Sequence, residues 1–196
     1  MVRNLAILLF DDIEVMDFCG PFEVFSVTNE LNDNIQLNVF TIAEHASPIL
    51  TRNGLSVNPK YTIQNSPTPH IILVPGGQGS RRVMNNPLIT SWLTNSFENL
   101  ELMLSVCTGS IILAKTGLLD GLEATTHHDV IDLLKEVAPN TKIIPSRRFI
   151  DNGKVITSAG ISAGIDMSLY VVSKLFGVDI ARKTATYMEY NWQPEN

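Results

Sequence analysis

The sequence predicts a single-domain α/β protein, a three-layer sandwich in which a mostly parallel sheet has helices on both faces. Short apolar runs alternate with segments of helical periodicity, an order typical of βαβ units. Two of these runs, LAILLF at 5–10 and HIILVPGG at 70–77, are largely apolar, as expected for strands covered on both faces. A chain of 196 residues suits one packed core, so we expect one domain over 1–196.

The other elements are justified in chain order. Residues 20–31 have apolar residues on one helical face, and Pro21 suits a first turn. Residues 35–43 alternate in polarity like a strand, and an Asn-Gly pair within 47–62 indicates a hairpin. The rest of the pattern predicts a helix at 87–99, a strand at 101–106, a strand, glycine-containing loop and long helix over 155–177, and a last helix at 178–188.

Composition excludes several classes of protein. A net charge of -6 without a Lys/Arg cluster argues against nucleic-acid binding. The N-terminal apolar run is too short for a membrane span, and acidic residues follow it, so we expect a cytoplasmic protein with no membrane partner. Two cysteines make no disulfide framework, and the histidine spacing matches no metal motif. We therefore expect no metal. Because ligands of parallel α/β sheets bind outside the carboxyl ends of the strands, we expect a small-molecule partner there.

The stretch LMLSVCTGSIILAKTG at 102–117 changes from strand to helix at Cys107. Such a sharp junction has the mechanics of a nucleophile elbow, which lifts the side chain above the sheet edge. N–H groups at the start of a helix favour a thiolate, so we expect the pKa of Cys107 to be lowered. The alternative is that Cys107 is simply a small buried apolar residue.

Two further segments are expected at the same sheet edge. In VPGGQG, Gly77 follows a strand and can present its N–H, together with that of Thr108, to an oxyanion, although a simple tight turn is the alternative. Asp17 stands among apolar residues just before the first predicted helix, where a helix cap is the alternative role. Burial beside Cys107 would raise the pKa of Asp17 and make it a general acid.

These motifs together resemble the ThiJ/PfpI superfamily. The resemblance rests on DFCGPFEVF, VPGG, SVCTGSIILAKTGLLDGLEATTHH and TSAGISAGIDMSLYVV and runs over nearly the whole chain. It implies a flavodoxin-like, class I glutamine amidotransferase-like fold. Within the superfamily the chain is most similar to the isonitrile hydratase branch and to the sensor domains of AraC-type regulators.

The resemblance implies specific site residues. Cys107 takes the nucleophile position, Asp17 the acid, Gly77 the oxyanion donor and Thr108 the position after the nucleophile. It also implies that an isonitrile is hydrated to an N-substituted formamide through a thioimidate on Cys107, in a homodimer that needs no cofactor. The substrate-binding residues expected beside them are Gly76, His127, Gly160 and Ile161.

Departures from the superfamily pattern keep other functions open. Protease-like members have a histidine where this chain has Thr108, and deglycase members usually have a glutamate in place of Asp17. The regulators add a helix-turn-helix module, which we do not expect in a sequence ending at Asn196. One alternative is a glyoxalase- or deglycase-like enzyme in which Cys107 adds to an aldehyde and His127 moves a proton. Another is a non-catalytic ligand or redox sensor that uses Cys107.

Overall fold

The structure is a computed structural model that describes residues 2–194. Its strands are β1 (Arg3–Leu8), β2 (Leu37–Ala43), β3 (Ile49–Leu50), β4 (Ser56–Val57), β5 (Tyr61–Thr62), β6 (Ile71–Val74), β7 (Leu102–Val106), β8 (Glu123–Ala124), β9 (Lys142–Ile143), β10 (Phe149–Asp151) and β11 (Val155–Ser158). Its α-helices are α1 (Val15–Glu30), α2 (Ser80–Val83), α3 (Pro87–Phe97), α4 (Gly109–Lys115), α5 (Ile131–Val137), α6 (Ala163–Phe176) and α7 (Val178–Tyr187), and a 3₁₀ turn spans His128–Val130.

The central sheet has seven strands in the order β10-β11-β7-β6-β1-β2-β5. All neighbours are parallel except β10, which runs antiparallel to β11. Strands β6, β7 and β11 are buried along their whole length, which explains why the apolar runs of β6 and β7 show no alternation of polar and apolar residues. Helices α1, α6 and α7 pack together in one layer, and α2, α3 and α5 pack around α4 or beside it in the other. The predicted three-layer α/β fold is therefore confirmed.

The first helix begins earlier than predicted. It starts at Val15 rather than at residue 20, so Asp17 lies in its first turn and Pro21 lies inside it. Proline has no N–H for the carbonyl four residues earlier and normally disrupts a helix interior. Here packing prevails, because Gly20 allows α1 to approach α6 so closely that a Cβ at that position would lie 2.9 Å from Ile165 Cγ1.

The elements absent from the prediction are short. The unpredicted elements are α2, α5, the 3₁₀ turn, β5, β8, β9 and β10, none longer than 7 residues. Segments of this length contain too few residues to display a helical or strand period. The predicted hairpin is present as the antiparallel pair of β3 and β4, in which Ile49 is opposite Val57.

The sheet topology determines where a site can form. Strand β1 is flanked by β2 on one side and by β6 on the other, so the direction of strand order reverses at β1. Ligands in such sheets bind beyond the carboxyl ends of the strands near this point. The loops after β1, β6, β7 and β11 all leave the sheet at that edge. Among residues 2–194, no helix has both the length and the apolar character of a membrane span.

Candidate active site

Cys107 has a left-handed backbone at the turn between β7 and α4. Its φ is 56°, an unusual value for a residue other than glycine. Its N–H is shared between the carbonyls of Ser158 (3.1 Å) and Ala159 (3.2 Å). Its own carbonyl accepts hydrogen bonds from Thr126 Oγ1 (2.9 Å) and Ser110 Oγ (3.0 Å). These four contacts offset the unfavourable conformation, so the sharp strand-to-helix turn predicted from the sequence is present and firmly held.

The residue two positions after Cys107, which begins α4, must be small. A Cβ on Gly109 would lie 2.0 Å from the carbonyl oxygen of Val74 at the end of β6. Because that atom belongs to the backbone of a buried strand, it cannot move aside without disturbing the sheet. The glycine in Cys-Thr-Gly therefore lets α4 begin directly against β6, which brings Cys107 next to the loop that follows β6.

Asp17 is the closest acidic partner of the cysteine. Its side chain is fully buried and forms a hydrogen bond with Cys107. The backbone N–H of Ile161 donates to Oδ1 (3.1 Å), and the N–H of Gly76 donates to Oδ2 (3.1 Å). A Cβ at Gly76 would approach Thr108 N to 2.5 Å, so only glycine fits there. Both N–H groups fix the carboxyl toward the sulfur.

Burial raises the pKa of Asp17 from 3.8 to about 7. The negative charge of Glu14 raises it further, whereas the N–H groups of Gly76 and Ile161 and the hydrogen bond with Cys107 lower it. Loss of hydration outweighs these hydrogen bonds. A carboxyl of this kind can both accept and release a proton near neutral pH, which a group with an ordinary pKa cannot do efficiently.

The expectation of a lowered cysteine pKa is wrong. Burial raises the pKa of the Cys107 thiol, and the charges of Asp17 and Glu14 raise it further. The N–H of Thr108 acts in the opposite direction but does not compensate, since the side chain is only 6% exposed. In the resting protein at neutral pH the sulfur therefore carries its proton, and the adjoining carboxyl is the group that titrates.

Thr108 connects the cysteine turn to the glycine loop. Its Oγ1 donates to the carbonyl of Gly77 (3.0 Å) and accepts the N–H of the same residue (2.9 Å). Ser80 Oγ also lies 2.9 Å from Thr108 Oγ1. The N–H of Gly77, expected to face an oxyanion, is thus already bonded to a hydroxyl, while the N–H of Thr108 faces the sulfur.

His127 and Gly160 lie together on another side of the cysteine. A Cβ on Gly160 would lie 2.2 Å from His127 Cδ2, so the glycine makes room for the imidazole. His127 Nδ1 accepts the N–H of Asp129 (3.2 Å), and its ring stacks on His128 at 4.2 Å between centroids. Gly160 therefore supports the position of His127 and does not itself line the cavity.

The cavity above Cys107 has a volume of about 110 Å³. Four of the predicted residues besides Cys107 line it, namely Gly77, Thr108, His127 and Ile161, whereas Asp17 and Gly76 lie behind its wall. Sequence reasoning missed Glu14, Arg52, Gln78, Arg81 and Asp129, which also line the cavity. The sequence signal that could have placed Gln78 and Arg81 at the cavity was their position just after the Gly-Gly pair.

The loop that carries Ile161 is braced from behind. Ile161 is β-branched and has a φ of 56°, so its conformation is strained. Arg148 donates through Nε to Asp166 Oδ2 (2.7 Å) and contacts Ser162 Oγ at 3.4 Å. Tyr190 also donates to Asp166 (2.9 Å). This network holds the start of α6, and with it the N–H that Ile161 gives to Asp17.

One cluster at the cavity rim offers metal-type ligands. His127, His128 and Asp129 each present a ligand atom within 4.8 Å of the others. Two of the three residues are exposed, and His127 Nδ1 already accepts a backbone hydrogen bond. With three consecutive side chains and an occupied nitrogen, this group is a poor match to the ligand sets that hold zinc, and we derive no chemistry from it.

Comparison with known proteins places this geometry in a family. A sequence profile of the DJ-1/PfpI family matches residues 3–174. The isonitrile hydratase of Pseudomonas putida is 31% identical over 191 residues, 97% of this chain and 79% of that protein. The HTH-type transcriptional regulator CdhR of Pseudomonas aeruginosa is 30% identical over 92% of this chain, which spans 53% of the regulator. A crystal structure of a ThiJ/PfpI family protein from Pseudomonas syringae has a TM-score of 0.88 at 26% identity, covering 100% of this chain and 78% of that one.

The fold and the site define an α/β protein with a buried cysteine at a strained strand-to-helix turn, where the cysteine is hydrogen-bonded to a buried carboxyl. The chain belongs to the DJ-1/PfpI family, as its motifs predicted. Its similarity extends to an enzyme and to a transcriptional regulator at nearly equal identity. Family membership by itself therefore does not decide between catalysis and sensing.

The raised pKa of Asp17 predicts a pH-dependent stability. Between about pH 4 and about pH 7 the folded protein keeps a proton on Asp17 that the unfolded chain has released, so the free energy of unfolding falls as pH rises through this interval. The shift from 3.8 to about 7 corresponds to roughly 4 kcal/mol. Urea unfolding at several pH values in this interval gives the free energy of unfolding of the wild type and of Asp17→Asn. Its fall with rising pH should be smaller in the variant. Parallel curves for the two proteins, with exposed Asp129→Asn as the control, would contradict the assignment.

Proposed function

We propose that the protein is a cysteine-dependent enzyme that hydrates an isonitrile to an N-substituted formamide. The observation that carries this proposal is the hydrogen bond between Cys107 and a buried Asp17 whose pKa is about 7. Similarity to the Pseudomonas putida isonitrile hydratase supports the choice of reaction. The reaction needs one nucleophile and one group that moves a proton between sulfur, carbon and nitrogen, and this pair supplies both.

The first step forms a covalent intermediate. Ionised Asp17 accepts the thiol proton as Cys107 Sγ attacks the terminal carbon of R–NC, and a C–S bond forms. Asp17 then gives that proton to the same carbon. The product is the thioimidate R–N=CH–S–Cys107, and Asp17 is again ionised. A thiol with a raised pKa requires such a base at the moment of attack, because little free thiolate exists beforehand.

The second step hydrolyses this intermediate. Water adds to the thioimidate carbon, and its proton passes through Asp17 to the nitrogen. The C–S bond then breaks, R–NH–CHO leaves, and the hydroxyl proton returns to the sulfur. The sum is R–NC plus water giving R–NH–CHO, with no electron transfer and with the cysteine regenerated.

The remaining predicted residues have supporting parts in this proposal. Gly76 and Ile161 orient the Asp17 carboxyl through their N–H groups. Thr108 offers its N–H to the sulfur, and its hydroxyl can release the N–H of Gly77 toward developing charge. His127, backed by Gly160, forms a wall against the substrate substituent.

The alternative functions have weaker support from this geometry. A redox sensor needs a thiolate, and the raised pKa of Cys107 works against one. A glyoxalase-like reaction would rely on His127, whose Nδ1 is already bonded to the N–H of Asp129. Lactate formation from methylglyoxal, in the absence of isonitrile turnover, would favour that second reaction.

Turnover of alkyl isonitriles tests the proposal. Purified wild-type protein should convert several alkyl isonitriles to formamides, followed by their ultraviolet absorbance. Cys107→Ser should be inactive, and Asp17→Asn should lower kcat by about 100-fold because proton transfer is lost. Cys19→Ser, in a half-buried cysteine outside the cavity, serves as the matched control and should retain full activity. Absence of turnover across the isonitriles would refute the proposed function.

We also propose that the protein is a homodimer, which the family resemblance implies, and that it is cytoplasmic, as the sequence predicts. Met16, Leu50 and Leu55 expose 39%, 55% and 50% of their surfaces. The hairpin of β3 and β4 contacts the start of α1 through the Arg52–Glu14 ion pair (3.0 Å), so these apolar side chains lie on adjoining elements.

Light scattering at micromolar concentration should give twice the chain mass. Leu55→Glu should weaken the dimer, while Leu88→Glu on α3 should not. A wild-type monomer would contradict this part.

A further inference from the structure

Arg81 is a cation on the cavity wall. It belongs to α2, is half-buried, and lines the same cavity as Cys107. Within residues 2–194 its guanidinium has neither an ion pair nor a hydrogen-bond acceptor. Arg52, the other arginine of this cavity, is bonded to Glu14 at 3.0 Å. Arg81 is therefore the cation that remains available to a ligand.

The base of Arg81 is fixed relative to the reactive sulfur. The preceding residue, Ser80, is fully buried, and its Oγ bonds to Thr108 Oγ1 (2.9 Å) and to the carbonyl of Gly77 (2.7 Å). Thr108 directly follows Cys107 in the chain. A group bound by the guanidinium would thus lie in the cavity that also holds the sulfur, as a substrate-orienting residue requires.

The negative charges around this cavity do not neutralise Arg81. Glu14 is committed to Arg52, and Asp17 lies behind the wall. The side chain of Asp129 is 74% exposed, so water and salt screen its charge. A guanidinium offers several N–H donors in a planar fork that matches a carboxylate.

We propose that the cavity prefers substrates with a short anionic substituent, a carboxylate bound by Arg81 while the reacting carbon contacts Cys107. As a statement about the substrate class, namely isonitriles bearing a carboxylate, it rests on the proposed function. The small volume of about 110 Å³ favours a substituent of only a few atoms between the two groups. Gln78, three residues before Arg81 on the same wall, provides an additional amide donor.

The neighbouring arginine supplies a matched control. Arg82 is bonded to Asp12 Oδ2 at 2.9 Å and to the carbonyl of Asp11 at 3.2 Å. It lines a separate cavity together with Glu44, Asn86 and other residues, none of which lines the cavity above Cys107. Arg82→Gln removes the same charge from the same helix without changing the wall above the cysteine.

Alkylation of Cys107 tests the anion site without requiring any enzymatic activity. Iodoacetate and iodoacetamide differ mainly in one charge, and mass spectrometry of the Cys107 peptide gives both rates. The ratio of the iodoacetate rate to the iodoacetamide rate should fall about tenfold in Arg81→Gln, by loss of a charge-assisted hydrogen bond. Arg82→Gln should keep the wild-type ratio, and Arg81→Lys should restore part of it. An unchanged ratio in Arg81→Gln, or an equal fall in Arg82→Gln, would overturn the proposal.

A pair of isonitriles carries the same test to turnover. Isocyanoacetate and its ethyl ester share the reacting group and differ in charge. The wild type should favour isocyanoacetate in kcat/KM, and Arg81→Gln should lose this preference mainly through KM. If neither compound reacts, the proposed hydration is wrong, and the alkylation ratio still decides whether Arg81 binds an anion. Equal preference in wild type and Arg81→Gln would overturn the substrate class alone.

Discussion

The left-handed backbone of Cys107 is the constraint around which the site is built. A residue with a Cβ adopts this conformation only when its surroundings hold it, and here carbonyls from the end of β11 and hydroxyls of Thr126 and Ser110 do so. The close approach of Gly109 to Val74 completes the turn. Because these contacts join the ends of β6, β7 and β11 to the start of α4, the fold and the strained residue depend on each other.

The same edge determines the electrostatics of the site. The loops after β6 and β11 each give one N–H to Asp17, which compensates part of the loss of hydration on burial. The compensation is incomplete, so the carboxyl titrates near neutrality and the adjacent thiol keeps its proton. Cys107 and Asp17 therefore form a coupled pair, and in the proposed hydration the proton moves between them. Arg81 adds a positive charge to the wall of the cavity above the sulfur.

Sequence patterns predicted the parts of this site that depend on local chain geometry. The apolar strand followed by Cys-Thr-Gly identified Cys107, and the strand followed by Pro-Gly-Gly identified Gly76 and Gly77. The start of α1 could not be predicted, because packing of Gly20 on Ile165 overrides the proline signal. The predicted direction of the pKa shift of Cys107 was wrong, because burial and the charge of Asp17 are tertiary effects. Arg81 was missed for the same reason, since a surface arginine and a cavity arginine look alike in sequence.

The coupling between Asp17 and Cys107 is tested most directly by titrating the cysteine itself. Thiolate absorbance against pH, measured in a Cys19→Ser background, gives the pKa of Cys107 with Asp17 intact and in Asp17→Asn. Removal of the carboxylate charge should lower the Cys107 pKa, and Glu14→Gln should lower it less, following the order of their contributions. Superimposable titration curves for the wild type and Asp17→Asn would contradict the account, because two groups that do not influence each other's protonation cannot act as one pair.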